Sequence, residues 1–118
     1  MSQKRLSAAG RRQAHAPVFA ALGDETRLRL LARLADGDAC SITRLTEGSG
    51  LTRQAVTKHL RVLEKAKMVR CVHAGRESLF ALDPRPLAEI REYLDLISRQ
   101  WDQALLRLKA FVETESPD

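Results

Sequence analysis

The stretch "TRQAVTKHLRVLEKA", residues 52–66, decides how the rest of the chain is read. On a helix turning about 100° per residue, Val56, Leu60 and Leu63 share one narrow arc and define a core side. Gln54, Lys58, Arg61 and Lys65 stand almost directly opposite, with Thr57 at their edge. Such a face is either ordinary solvated surface or a helix built to lie in a nucleic-acid groove. The residue types suit a groove: Gln bonds adenine, Arg and Lys bond guanine or phosphate, and Thr bonds either. Thr52 is expected to cap the helix and Arg53 follows it, at an end whose unpaired N–H groups and dipole favour a phosphate. His59, beside the core side, reads as a packed or phosphate-neighbouring histidine rather than a metal ligand.

The flanking sequence separates the two readings. Upstream, "SITRLTEG" (residues 41–48) predicts a short helix capped by Ser41 with Ile42 and Leu45 inward. "GSG" then turns the chain, and Gly50 can take the positive φ of a tight helix-to-helix turn. Two short helices across a glycine turn are the sequence form of a helix-turn-helix, although helical hairpins share it. Downstream, "MVRCVHAGRESLFAL" (residues 68–82) has β-forming residues on both sides of a Gly-containing turn. Its alternation is not clean, but it predicts a short hairpin closed by Asp83 and Pro84. Arg76, with His73 and Arg70, would let this hairpin reach a flanking groove or phosphate. The fold expected is therefore mainly α with a small β-hairpin wing, a winged helix-turn-helix.

Before the motif, "APVFAALGDETRLRLLARLADG" (residues 16–37) predicts two helices. Pro17 suits the first turn of a short one ending at Leu22; Gly23 breaks it and Asp24 caps the next. Leu28, Leu31 and Leu34, with Leu30 beside them, are expected to form the apolar face of that second helix. Residues 1–14 carry Lys4, Arg5, Arg11 and Arg12 without periodicity, and read as a flexible basic tail or, alternatively, a phosphate-contacting arm. The folded domain is expected over residues 15–112, with a short tail over 113–118.

The most regular pattern lies in residues 84–113. Leu87, Leu94, Trp101 and Leu108 recur at heptad spacing, and Ile90, Ile97, Ala104 and Phe111 form a second row offset by three; Leu105 lies beside them. Such a stripe is covered either within the chain or by a second copy. A dimer seam is favoured, because so small a domain has little core to spare for it.

The 118 residues suffice for one domain with a modest core. Net charge is +5, and residues 52–76 hold seven basic residues against Glu64 alone, a net of +6, leaving the remainder near −1. The basic excess is thus local, as a footprint for a polyanion would be. Cys40 and Cys71 have no C-x-x-C spacing and read as free thiols of a cytoplasmic protein. The sequence lacks an apolar run long enough to span a membrane and a hydrophobic segment typical of a secretory signal. With no phosphate-loop, dinucleotide or zinc-protease motif, no catalysis and no cofactor are expected.

"ALGDETRLRLL" (residues 21–31) and "GLTRQAVTKHLRVLEKA" (residues 50–66), followed by the "HAGRE" hairpin and "LDP", resemble the ArsR/SmtB-type winged-helix repressors from about residue 17 to 112. The resemblance implies a homodimer joined by its first and last helices, which adds Phe19 to the seam. It also implies that the helix from Thr52 reads double-stranded operator DNA and that repression ends when an inducer weakens binding. The family's metal sites do not carry over. Its Cys-x-Cys positions fall on Ser41 and Thr43, one residue out of register with Cys40, and residues 84–112 hold no His or Cys, only carboxylates such as Asp95 and Asp102. The resemblance is to metal-independent members, and the inducer is not specified. The alternative is a metal- or thiol-responsive sensor using Cys40 and Cys71.

Overall fold

Helix α1 (Ala8–Leu22) begins where Ser7 supplies an N-cap, its hydroxyl oxygen accepting the Gly10 N–H at 3.0 Å. The computed structural model describes residues 7–115. This start is well ahead of the one expected near Pro17, and residues 8–14 are helical rather than part of a tail. Ser7 followed by Ala8 and Ala9 is a sufficient start signal, and the proline is accommodated inside the helix at the loss of one backbone hydrogen bond. The remainder of the expected tail, residues 1–6, lies outside the described residues.

Asp24 caps α2 (Glu25–Ala35) by accepting the Arg27 N–H at 3.0 Å. Leu30 and Leu34 are its buried residues, whereas Leu28 is 48% exposed. Leu28 lies two positions before Leu30, about 200° round the helix, so the expected leucine face is corrected to Leu30, Leu34 and half-buried Leu31. A two-residue strand, β1 (Cys40–Ser41), precedes α3 (Ile42–Thr46), which Ser41 caps. Then come α4 (Arg53–Lys65), the hairpin strands β2 (Val69–Ala74) and β3 (Glu77–Leu82), and α5 (Arg85–Glu115).

The sheet order is β1-β3-β2, antiparallel throughout. The hairpin register pairs Ala74 with Glu77 across a two-residue turn, and Gly75 takes φ +65° at the first turn position, where a type II′ turn needs glycine. Strand β1 was not expected. A two-residue strand carries no periodic signal, yet it sets the start of α3 beside the wing by pairing Ser41 with Leu79.

The described residues divide into two compact units, one ending at Leu87 and the other beginning at Ala88. Within the first, Leu45, Val56, Leu60 and Leu63 are fully buried, joined by Val69 and Phe80 of the wing. Each such side chain contributes about 1.5–3 kcal/mol relative to leaving it in water. The described part of the second unit is the continuation of α5. Its residues Leu94, Trp101, Leu105, Leu108 and Phe111 are exposed, Trp101 to 69%.

Candidate nucleic-acid interface

The glycine turn and the cap make α4 a rigidly started helix. Gly50 adopts φ +74°, as its place in the turn anticipates, and the Thr52 hydroxyl accepts the Ala55 N–H at 3.1 Å. At the far end, Lys67 takes the left-handed conformation (φ +63°). The Met68 N–H reaches the Leu63 carbonyl and the Lys67 N–H the Glu64 carbonyl, both at 2.9 Å, a Schellman stop usually built on glycine.

Two arginines of α2 fix the neighbouring helices. Arg27 donates from Nε to the Ala21 carbonyl (2.7 Å) and from Nη2 to the Ala20 carbonyl (3.2 Å), closing the C-terminus of α1. Its Nη1 lies 3.3 Å from Nδ1 of His59 on α4. His59 is thus packed at the α1–α2 junction, 3.9 Å from the Asp24 carboxylate. The backbone N–H of Arg27 holds the Asp24 carboxyl below its usual pKa, aided by the nearby Arg27 and His59 charges. Arg33 donates to the carbonyls of Leu45 (2.8 Å), Glu47 (3.1 Å) and Arg44 (2.9 Å), satisfying the end of α3 just before the turn.

With α4 so held, Val56, Leu60 and Leu63 point into the core and Gln54, Lys58, Arg61 and Lys65 are exposed on the opposite face. Lys58, Arg61 and Lys65 have no ion-pair or hydrogen-bond partner among the described residues, and neither does Arg76 at the wing tip. Charges without a partner among the described residues, gathered on one face, are available to an outside anion. Thr57 and Arg53 are placed differently. The Thr57 hydroxyl donates to the Arg53 carbonyl at 2.8 Å and its side chain is half-buried, while Arg53 Nη1 donates to Thr43 Oγ1 at 2.6 Å. His73 is exposed on the wing, 3.4 Å from the Ser78 hydroxyl.

The wing is pinned at its base. Asp83, buried in the fold, receives the Arg85 guanidinium on both oxygens (2.6 Å from Nη2 to Oδ2, 3.0 Å from Nε to Oδ1) and the Arg85 backbone N–H at 3.1 Å. Those hydrogen bonds hold its pKa down at about 2. Arg70 Nε lies 4.0 Å from the same carboxylate, so Arg70 serves the wing base as much as the wing surface.

Cys40 and Cys71 both pair with Phe80, from opposite sides of β3. Two strand spacings separate them, roughly 10 Å between Cα atoms, beyond the reach of a disulfide of about 7 Å. The Ser41 oxygen accepts the Arg44 N–H (3.2 Å), the Thr43 oxygen accepts from Arg53, and no cluster of three or more His, Cys, Asp or Glu occurs among the described residues. The roles of Arg27, Arg33, Asp83 and Arg85 escaped the sequence reading, because nothing in their spacing tells which carbonyl or carboxylate each one meets.

A family-level match described as a helix-turn-helix domain spans residues 22–72. The HTH-type transcriptional regulator Rv2034 of Mycobacterium tuberculosis is 36% identical over 101 residues, covering 86% of this chain and 91% of the relative. Among solved structures, an ArsR-like transcriptional regulator from Rhodococcus sp. RHA1 superposes with a TM-score of 0.76 at 32% identity, covering 92% of this chain and 99% of its own. The homodimeric winged helix-turn-helix DNA-binding domain Mb0332 from Mycobacterium bovis shares the fold at 18% identity, with a TM-score of 0.64 over 85% of this chain and 92% of that one. None of the described helices is long and apolar enough to cross a membrane.

Proposed function

The chain belongs to the ArsR family of winged helix-turn-helix DNA-binding transcriptional regulators, and from that membership we propose that it is a homodimeric repressor of a palindromic operator. The observation that carries the reading is the outer face of α4, where Lys58 and Arg61 stand without a partner among the described residues, beside Gln54 and opposite a fully buried stripe. In this reading α4 enters the major groove, Gln54, Thr57, Lys58 and Arg61 meet base edges and nearby phosphates, and Thr52 and Arg53 lie at the backbone. Arg76 and His73 follow the flanking DNA. Occupancy of the operator excludes other proteins from that duplex, which is how such a binder represses.

Homodimerisation is supported by the exposed apolar row of α5, Leu87, Leu94, Trp101, Leu105 and Leu108, which water would otherwise contact. Ile97 and Phe19, half-buried, and Ile90, buried, complete the proposed set. The Mb0332 domain, which shares the fold, is itself homodimeric. A two-fold dimer places half-sites about 34 Å apart. The engaged hydroxyls of Ser41 and Thr43 favour a regulator that does not use the family's thiolate metals, and the separation of Cys40 from Cys71 disfavours an intrachain disulfide switch.

Selection of bound sequences from a random duplex pool at fixed salt tests this function. A palindrome is the expected result; recovery of asymmetric sites or of no sequence would overturn it.

A further inference from the structure

The pairing of β1 with β3 brings the start of α3 against the wing and opens a cleft of about 260 Å³ between them. Ser41, Thr43, Arg53, Arg76, Glu77 and Ser78 line it. Three structural elements thus contribute, though the sequence gives no hint that Thr43 and Arg76 share a site.

The hydrogen-bond accounting within this cleft is one-sided. Thr43 Oγ1 accepts from Arg53 Nη1 at 2.6 Å, and Ser41 Oγ accepts the Arg44 N–H at 3.2 Å. Each hydroxyl therefore spends an acceptor site inside the protein and keeps its O–H to donate. Arg53 retains further N–H groups beyond the one used, and Arg76 has no partner among the described residues. What remains available is a set of donors and positive charge from three elements. Among the described residues Glu77 is the single carboxylate on the rim, against two guanidinium groups. Such a set suits a singly charged oxyanion with several acceptor oxygens, and a backbone phosphodiester is that group.

Resting on the DNA-binding reading above, we propose that Arg53, Arg76 and Thr43 seat one and the same phosphate of the operator backbone, so that the wing and the recognition helix are fastened together through the DNA. Sequence reasoning treated Arg53 and Arg76 as separate contacts and gave Thr43 no role. A shared seat makes their contributions interdependent, since removing either cation leaves the phosphate held less firmly by the other. It also makes Glu77 a brake on affinity, whose neutralisation tightens binding.

The test is a double-mutant cycle on the full chain and its selected operator, at fixed salt, with Arg53→Gln and Arg76→Gln. Thermal denaturation verifies that each variant is folded. If each single change weakens binding roughly tenfold, a shared phosphate predicts that the double variant falls well short of roughly a hundredfold. A scan with neutral methylphosphonate linkages should then find one position at which both substitutions, and Thr43→Val, lose their effect together. Glu77→Gln should raise affinity. Multiplying effects, or different linkages for the two arginines, would overturn the shared seat while leaving the DNA-binding reading intact. A chain that binds no duplex at all would overturn both.

Discussion

Replacing Arg33 by methionine keeps an unbranched side chain at that position of α2 and removes the guanidinium that closes α3. Three carbonyls lose a donor: Leu45, Glu47 and Arg44, at 2.8, 3.1 and 2.9 Å. Hydrogen bonds from a charged donor contribute about 1.5–3 kcal/mol each in buried settings, and neutral ones about 0.5–1.5. Arg33 is an exposed residue, so water replaces part of what is lost and the lower range applies. Roughly 2 kcal/mol is the resulting loss, a substantial share of the 5–15 kcal/mol that typically holds a domain together. In a chain of this size that corresponds to a fall in Tm on the order of 10 °C, measured at fixed protein concentration. Arg33→Lys should recover less than half of it, because an ammonium has no planar fork to span three carbonyls. Calorimetry or circular dichroism melts would settle the matter. A shift under about 2 °C would refute the clamp, meaning that water serves those carbonyls equally well. DNA affinity lost without any loss of stability would instead make Arg33 a direct phosphate contact.

Lys58→Ala should weaken operator binding across all sequences and reduce the salt slope by about one, whereas Gln54→Ala should cost about 1–3 kcal/mol and relax preference at one base pair; binding isotherms at several salt concentrations distinguish these outcomes, and unchanged isotherms contradict the groove assignment. Asp83 titrates below its ordinary 3.8, at about 2, so the folded state binds fewer protons than the unfolded chain and the Asp83 contribution to stability is lost as pH falls from 3.8 towards 2. Denaturation midpoints followed from pH 6 to pH 2 should therefore drop, and Asp83→Asn should flatten that part of the curve; a variant with the wild-type pH profile would exclude the Asp83–Arg85 pair as the cause. Trp101→Glu puts a charge in the exposed apolar row of α5 and should yield monomers in size-exclusion with light scattering, with operator affinity falling alongside; a dimer of unchanged stability would place the seam elsewhere.

The helix-turn-helix was legible because each of its parts writes a local signal. Thr52 and Ser41 cap, Gly50 turns, and Val56, Leu60 and Leu63 repeat at helical spacing, so local preference and burial agree. Two misreadings have the same root. Pro17 carries a helix-start signal of its own, yet Ser7 and the alanines after it begin the helix earlier. Leu28 shares its residue type with the buried leucines of α2, but its angle puts it on the outer side. The outward face of α4 followed from periodicity alone. The cleft shared by Thr43, Arg53 and Arg76 did not, because it depends on β1 pairing with β3 across nearly forty residues of sequence, a contact that no local pattern encodes.

The place of Phe80 between Cys40 and Cys71 makes the two thiols built-in reporters of assembly. Within one folded chain they stay apart, so a disulfide formed under native conditions joins two molecules. A non-reducing gel run after mild oxidation therefore counts encounters between chains, and the band at twice the 13.2 kDa chain mass measures how often one wing or sheet edge meets another. Free operator DNA added beforehand should change that count wherever it covers the face carrying Cys71, turning an apparently idle pair of cysteines into a readout of occupancy.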